Sequence, residues 1–194
     1  MYKLRYNMHN DVKAGTVMVE QMTPEYSIRR SLPGDYMAMR DVNRAAWERA
    51  YDHIFTPDEI RALFDSELKQ EASWVDQRIE RIATLVAESN EKIVGYCGCE
   101  LLHNGDGEIA TLYVLPSFQG RGIGTGLWNA GLDILCEAGC RRLWVWVMAK
   151  ARAVEFYEDK GCKLTETGTY RIGNHEEITH GYTLDLMTNQ PTSN

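Results

Sequence analysis

A glycine-rich segment in the middle of the chain has the residue types of an anion-binding loop. It is the run Gln119–Thr125, QGRGIGT, which follows the apolar run 109–115 and opens a segment with helical spacing. Glycine lets the backbone turn without a Cβ clash, and successive N–H groups at a helix start converge on an anion that the helix dipole also favours. The sequence therefore predicts a strand, a phosphate-binding loop and a helix in succession.

The spacing of these glycines separates several phosphate-loop patterns. The Gly-Lys-Ser/Thr ending of a Walker loop is missing, and glycines at every second position from Gly120 to Gly126 do not fit the Gly-x-Gly-x-x-Gly of dinucleotide-binding proteins. A strand-to-helix turn without any ligand is the other interpretation. The run does match Gln/Arg-x-x-Gly-x-Gly/Ala, and in this the chain resembles the GCN5-related N-acetyltransferases (GNAT superfamily).

The resemblance covers residues 26–186, is strongest over 108–161, and implies acetyl-coenzyme A as cosubstrate, with no metal. In that family the loop binds the pyrophosphate, and the strand before it splays from its parallel neighbour so that the pantetheine arm pairs with exposed backbone. Lys150 stands where the family often has Asn, so a solvent-exposed lysine is the alternative to a cofactor contact. The implied cofactor-binding residues are Leu112, Tyr113, Val114, Gln119, Gly120, Arg121, Gly122, Ile123, Gly124, Thr125 and Lys150.

The catalytic expectations also come from the resemblance. Acyl transfer to an amine needs a neutral amine, a route for its proton and an acid for the departing thiolate. Tyr157, within FYEDKG, stands where many members place a tyrosine that reaches the coenzyme sulfur, which makes it the general-acid candidate; a core aromatic is the alternative. Glu108, which begins the strand leading to the loop, is the candidate base; the alternative is that it is simply an exposed glutamate at the end of a strand. Glu100 and His103 are reserves.

Acceptor choice in the family is usually set by the first two helices, their connector and the final hairpin. Some ribosomal-protein acetyltransferases carry a catalytic Glu where this chain has Trp146, so that route is closed here. Aromatic and charged side chains in the acceptor-selecting segments could hold an amine by cation–π and charge contacts, although helical spacing of the aromatics is also typical of core. These residues are Trp47, Tyr51, Asp52, His53, Phe55, Tyr170 and His175.

The five cysteines are predicted to be reduced thiols. Their number is odd and neither a signal peptide nor a long apolar span precedes them, which favours a cytoplasmic protein. Cys97 and Cys99 are expected on one strand face, and Cys136 and Cys140 on one helix face, with no histidine at metal-like spacing. We interpret them as small buried residues; direct transfer needs no acyl-cysteine, which would require an exposed thiol.

Bulk composition bounds the classes of partner. With 194 residues and 44% hydrophobic content, the chain fits one domain with a sizeable core. A net charge of −7 argues against a nucleic-acid surface, and no apolar span indicates a membrane. The acidic excess is explained by a solvated helix surface or by an acidic acceptor cleft. We expect an N-terminal extension over 1–24, an acetyltransferase domain over 25–187 and a disordered tail over 188–194.

The periodicity predicts the element order βααβββαβαββ. The capping sequence from Thr56 to Glu59 starts the second helix, which is expected to continue in broken form through Leu68 and Trp74. Helices are also predicted over Thr125 to Ala138 and Ala151 to Lys160. The expected fold is α/β (α+β), with a mixed, mostly antiparallel central sheet flanked by helices, which is the family's own order.

Two functions of different classes follow. The first is an N-acetyltransferase that moves an acetyl group from acetyl-coenzyme A to a primary amine of a small molecule, peptide or protein. The alternative is a non-catalytic acyl-coenzyme A sensor or interaction module, motivated by Lys150, by Cys162 in place of the usual Phe and by Trp146. Family members often pair, sometimes through C-terminal strands, so a homodimer is compatible with either function.

Overall fold

The computed structural model describes residues 26–67, 83–102 and 104–186. The predicted extension over 1–24, the tail over 188–194, the continuation of the second helix through Leu68 and Trp74, and the reserve base His103 lie outside these ranges. The domain boundaries therefore stay predictions.

Strands and helices follow one another in the predicted order. Two short 3₁₀ turns, Pro33–Asp35 and Pro116–Phe118, precede the first helix and the glycine loop. The strands and α-helices are β1 (Ser27–Arg30), α1 (Tyr36–Ala50), α2 (Pro57–Glu67), β2 (Ala83–Ser89), β3 (Lys92–Leu101), β4 (Gly107–Val114), α3 (Ile123–Glu137), β5 (Arg142–Met148), α4 (Val154–Asp159), β6 (Lys163–Ile172) and β7 (His175–Asp185).

The strands form one mixed sheet in the order β1-β2-β3-β4-β5-β7-β6. Every neighbouring pair is antiparallel except β4 and β5, which are parallel. The mostly antiparallel sheet predicted from the sequence is confirmed. The parallel pair is short, since only Gly107 with Leu143 and Glu108 with Trp144 are partners.

Helices cover the two faces of the sheet. On one face, which we call the α1 face, Met39 and Val42 of α1 pack with Val86 and Tyr96. On the opposite α3 face, Gly131 lies so close to β3 that an added Cβ would be 3.1 Å from the sulfurs of both Cys97 and Cys99. The core therefore lies in two layers, one on either side of the sheet.

The observed helix ends agree with some of the predicted boundaries and differ from others. The Thr56 N–H donates to Glu59 Oε2 (2.8 Å) and the Glu59 N–H donates to Thr56 Oγ1 (3.3 Å), which confirms the predicted capping box. Helix α3 begins at Ile123 rather than at Thr125. Helix α4 is shorter than predicted, because a turn with a hydrogen bond from the Val154 N–H to Ala151 O (3.2 Å) precedes it. None of the described helices is long and apolar enough to cross a membrane.

Candidate active site

The sheet opens between β4 and β5 beyond Glu108. Beyond Glu108, no described strand pairs with the edge of β4 that faces β5. The Leu115 N–H donates to Val94 O on β3 (2.8 Å). In an antiparallel pair every second residue bonds to the same neighbour, so the backbone groups of Tyr113 also point toward β3. The backbone groups of Leu112 and Val114 consequently point into the gap, where Val114 O accepts a hydrogen bond from Gln119 Nε2 (3.0 Å).

The glycine loop leads from the end of β4 to an uncapped helix N-terminus. Gly120 and Gly122 have φ of +74° and +82°, and a Cβ on either would meet no atom within 4 Å. No side chain caps α3, whose first helical hydrogen bond runs from the Gly126 N–H to Gly122 O (2.9 Å). The N–H groups of the first turn therefore have no partner within the helix and can bind an anion.

Tyr26 supports the loop from behind. Its hydroxyl donates to Gly122 O (3.2 Å), and a Cβ at Gly126 would lie 2.7 Å from the same hydroxyl oxygen. The fourth alternating glycine is thus required by a close approach of Tyr26 rather than by a ligand. Sequence reasoning missed this tyrosine, because nothing local relates it to a loop that lies far along the chain.

Two basic side chains flank the loop. The Arg121 guanidinium lies 4.9 Å from the centre of the Phe118 ring and donates to Ser117 O (3.0 Å). Lys160 Nζ donates to Thr125 Oγ1 (3.2 Å) at the start of α3. Sequence reasoning included Arg121 and Thr125 but missed Lys160, which brings a positive charge beside the first turn of the helix.

Tyr157 is buried next to α3. Its ring lies 5.8 Å from that of Trp128. Burial is the main reason why the pKa of its hydroxyl lies well above its ordinary value, and the nearby Tyr51 hydroxyl and the Cys97 and Cys162 thiols raise it further. The hydroxyl therefore stays protonated at neutral pH and can donate a hydrogen bond, as a general acid must.

Tyr157 belongs to a group of three phenols, which we call the tyrosine cluster: Tyr51, Tyr113 and Tyr157. Trp47 Nε1 donates to the Tyr113 hydroxyl (2.9 Å), and the Tyr51 ring packs edge-on against the Trp47 ring, with centroids 4.6 Å apart. Burial raises the pKa of Tyr51 to about 12 and that of Tyr113 as well, while Tyr157 interacts electrostatically with both. Sequence reasoning missed the cluster, since its members come from the end of α1, from β4 and from α4.

Glu108 lies on the α1 face of the sheet. It is the cross-strand partner of Glu100 on β3 and the parallel partner of Trp144 on β5, and it is half-buried. Glu100 shares its face with Tyr96, which packs against α1, so both carboxylates lie on the side of the sheet that carries α1. The role of Glu108 as a base remains a prediction.

Five of the seven residues predicted to select the acceptor divide into two groups, while Tyr170 on β6 is partly exposed, with its ring 6.2 Å from that of Trp47. Trp47, Tyr51 and Phe55 are buried in the core, which is the alternative interpretation that helical spacing gave for Trp47 and Phe55. Asp52 and His53 lie at the surface of the α1–α2 connector, where Asp52 pairs with Arg152 (2.9 Å) and His53 Nε2 is 2.8 Å from Lys150 O. These contacts bind the connector to the loop between β5 and α4.

Lys150 takes part in a chain of charged groups on the α1 face. Its Nζ is 3.0 Å from Glu177 Oε2, and Glu177 Oε1 is 3.0 Å from His175 Nε2. The other His175 nitrogen is 3.3 Å from Glu59 Oε1. Glu177 above all, then Glu59, raises the pKa of His175, whereas His175 and Lys150 lower the pKa of Glu177. Lys150 therefore has a carboxylate partner, and its contact with a phosphate remains a prediction.

The cysteines form no disulfide in the described residues. Cys97 Sγ and Cys99 Sγ are 3.8 Å apart on the α3 face, as their alternation predicted, and this contact and burial raise the pKa of Cys97. The predicted shared helix face of Cys136 and Cys140 is wrong, because α3 ends at Glu137 and the chain has turned away before Cys140. The described His, Cys, Asp and Glu side chains contain no group of three that could hold a metal ion.

Comparison with known proteins places this geometry in a family. Residues 39–162 match the family model of the acetyltransferase (GNAT) family. An uncharacterised N-acetyltransferase of Mycobacterium tuberculosis is 32% identical over 133 residues, which are 68% of this chain and 85% of the relative.

Solved structures share the fold. A GCN5-related N-acetyltransferase from Rhodopseudomonas palustris has a TM-score of 0.70 at 23% identity, covering 89% of this chain and 99% of that one. The PaiA N-acetyltransferase of Thermoplasma acidophilum, solved in complex with coenzyme A, has a TM-score of 0.68 at 18% identity, covering 80% of this chain and 97% of that one. Together with the splayed strands and the glycine loop, the family match shows that this chain belongs to the GNAT family of N-acetyltransferases.

Proposed function

We propose that the protein transfers the acetyl group of acetyl-coenzyme A directly to a primary amine of a small molecule, a peptide or a protein. The observation that carries this proposal is the gap between β4 and β5, which continues into the glycine loop at the start of α3. The coenzyme A complex of the Thermoplasma relative supports a coenzyme A thioester as the donor.

The gap and the loop offer complementary groups to the two ends of the donor. The outward-facing backbone groups of Leu112 and the Val114 N–H are suited to the amides of pantetheine, since extended chains pair through alternate residues. The helix N–H groups that follow Gly122 suit the pyrophosphate, and Lys160 adds a positive charge beside them. The donor would thus bind mostly through backbone groups.

The chemistry requires one bond to form and one to break. The amine nitrogen attacks the thioester carbonyl carbon, the carbon–sulfur bond breaks, and the amine loses a proton as the sulfur gains one. Tyr157 is the group that we assign to protonate the departing sulfur, since burial keeps its hydroxyl in the acid form. Glu108, on the α1 face, is the group that we assign to receive the amine proton, directly or through water.

A non-catalytic acyl-coenzyme A sensor is the second function that particular residues favour. Lys150 is held by Glu177, and Trp146 stands where some relatives in the family carry a catalytic carboxylate. Such a protein would keep the cofactor site without amine-dependent turnover.

Calorimetry with acetyl-coenzyme A and a thiol-release assay over a panel of amines test these functions together. We expect binding of acetyl-coenzyme A and release of free coenzyme A that depends on an added amine. Lack of binding at millimolar acetyl-coenzyme A would refute both functions. Binding without amine-dependent thiol release would refute the transferase and support the sensor.

A further inference from the structure

An exposed tryptophan stands where β5 has left β4. Trp146 lies two residues beyond Trp144, which is the last β5 residue paired with β4, and 41% of its surface is exposed. By strand alternation it shares the α1 face with Trp144 and with Glu108, the partner of Trp144. Trp146 therefore stands on the strand that borders the gap, on the face where we place the candidate base, and its indole extends from there over β7 toward β6.

Glycines on the two neighbouring strands leave room for this indole. Gly181 is the cross-strand partner of Trp146, and a Cβ there would lie 2.9 Å from the nearest indole carbon. A Cβ at Gly168, on the next strand, would lie 3.3 Å from the same ring. The Trp144 ring lies nearly parallel to it, with centroids 6.2 Å apart and an interplanar angle of 12°, and is held by a hydrogen bond to Asp106 (3.0 Å). Trp144 and Trp146 together form what we call the indole platform.

The charges around the indole platform are mainly negative. Cross-strand partners form rows of side chains that run across the sheet. Glu100 and Glu108 lie in the row of Trp144, and Glu166 lies in the row of Trp146, as the partner of Gly181. Lys163 opposes Thr183 in the row of Trp144, while Lys150 is held by Glu177. Carboxylates thus outnumber ammonium groups in the rows of Trp144 and Trp146, and this face suits a positively charged ligand.

We infer that the indole platform binds a second cationic group of the acceptor, so that the preferred acceptor is an amine that carries a further ammonium or guanidinium group. Tryptophan is the aromatic side chain with the strongest attraction for a cation over its face, and neighbouring carboxylates add to this attraction. The reacting amine must be neutral, whereas the second group keeps its charge, so one molecule can satisfy both requirements. This inference rests on the proposed transferase function and specifies its acceptor.

The test compares two amines of equal length, cadaverine and n-hexylamine, which differ in having an ammonium or a methyl group at the far end. We expect the wild-type kcat/KM for cadaverine, corrected for its two amino groups, to exceed that for n-hexylamine by about fivefold or more. Trp146→Leu should remove most of this preference, because only the carboxylates and Trp144 remain to attract the cation, and Trp146→Tyr should restore part of it. Ile178→Ala, an exposed apolar residue on the opposite face, should leave the preference unchanged.

Equal kcat/KM values for the two amines in the wild type would overturn the inference, as would a Trp146→Leu variant that loses activity equally for both. Calorimetric titration of each amine into wild type and Trp146→Leu gives a readout that needs no turnover. Tighter binding of cadaverine that depends on Trp146 supports the inference even where transfer fails, whereas equal binding of both amines overturns it. Failure of the transferase function is seen separately, as the absence of thiol release with every amine.

Discussion

Replacement of Gly122 by alanine tests whether the glycine loop binds the donor. Gly122 has φ of +82° and precedes the first residue of α3, and its missing Cβ points into open space. An alanine there costs about 1–2 kcal/mol for the left-handed backbone, partly offset by about 0.4–1 kcal/mol from the lower entropy of the unfolded chain. The expected loss of unfolding free energy is therefore about 1 kcal/mol, or about 2–4 °C in Tm for a chain of this length.

Binding of acetyl-coenzyme A should suffer more than stability does. The pyrophosphate site that we propose adjoins Gly122, so the new methyl group should displace the ligand, and loss of one hydrogen bond to a charged phosphate costs about 1.5–3 kcal/mol. The Kd of acetyl-coenzyme A measured by calorimetry should therefore rise about 10- to 100-fold.

Gly105→Ala is the matched control for this experiment. Gly105 has φ of +84° and equally open surroundings, but it lies in the turn between β3 and β4. Both variants should lose similar stability in urea denaturation, and only Gly122→Ala should lose affinity. Equal affinity of the two variants for acetyl-coenzyme A would refute the assignment of the loop as the pyrophosphate site.

Three further outcomes are expected. Tyr157→Phe should lower kcat about 100-fold or more, whereas Tyr182→Phe, which loses only a hydrogen bond to a surface glutamate, should not; an unchanged rate at every pH would remove Tyr157 as the acid. Gly131→Ala should change the unfolding free energy measured in urea by a loss of about 0–2 kcal/mol, because moving two sulfurs costs about 1–3 kcal/mol and the better helix propensity of alanine returns about 1 kcal/mol. The same substitution in a Cys99→Ala background should be more favourable, and an equal effect in both backgrounds would contradict this packing. Since neighbouring carboxylates raise the pKa of His175, its contribution to stability is fully present below its ordinary pKa of about 6.5 and is lost as pH rises through the raised value. His175→Gln should remove this decline of the denaturation midpoint above about pH 6.5, and an identical decline in the variant would show that His175 is not its source.

The parts of the fold that local sequence signals encode could be predicted. The capping box at Thr56 depends on residues three positions apart, and the glycine loop on residues one or two apart, so both were visible in the chain. The order of strands and helices followed from their periodicity for the same reason. The end predicted for α3 at Ala138 is within one residue of the observed end at Glu137, but the shared face predicted for Cys136 and Cys140 is wrong, because Cys140 lies beyond the turn that ends the helix.

The candidate site could be predicted only where one segment supplies it. The tyrosine cluster joins Tyr51, Tyr113 and Tyr157, and the support of the loop by Tyr26 joins positions 96 residues apart. Such contacts depend on how the sheet brings distant segments together, which spacing along the chain does not encode. The sequence left two alternatives for Lys150, a phosphate contact and a solvent-exposed side chain, and it gave no sign that Glu177 lies within ion-pair distance of it.

Strand β4 has one residue more than the part of β3 that it pairs with, and this extra residue limits which insertions and deletions the strand can accept. Gly98 pairs with Thr111 and Cys99 with Ile109, so Ala110 has no partner on β3 and forms a β-bulge. Because of that residue, Glu108 and Tyr113, an odd number of positions apart, lie on the same face. Deletion of Ala110 would turn one of them to the opposite side while leaving every other amino acid intact. Evolution can therefore replace side chains in this strand one at a time, but it cannot change the length of the strand at this point without separating the candidate base from the tyrosine cluster.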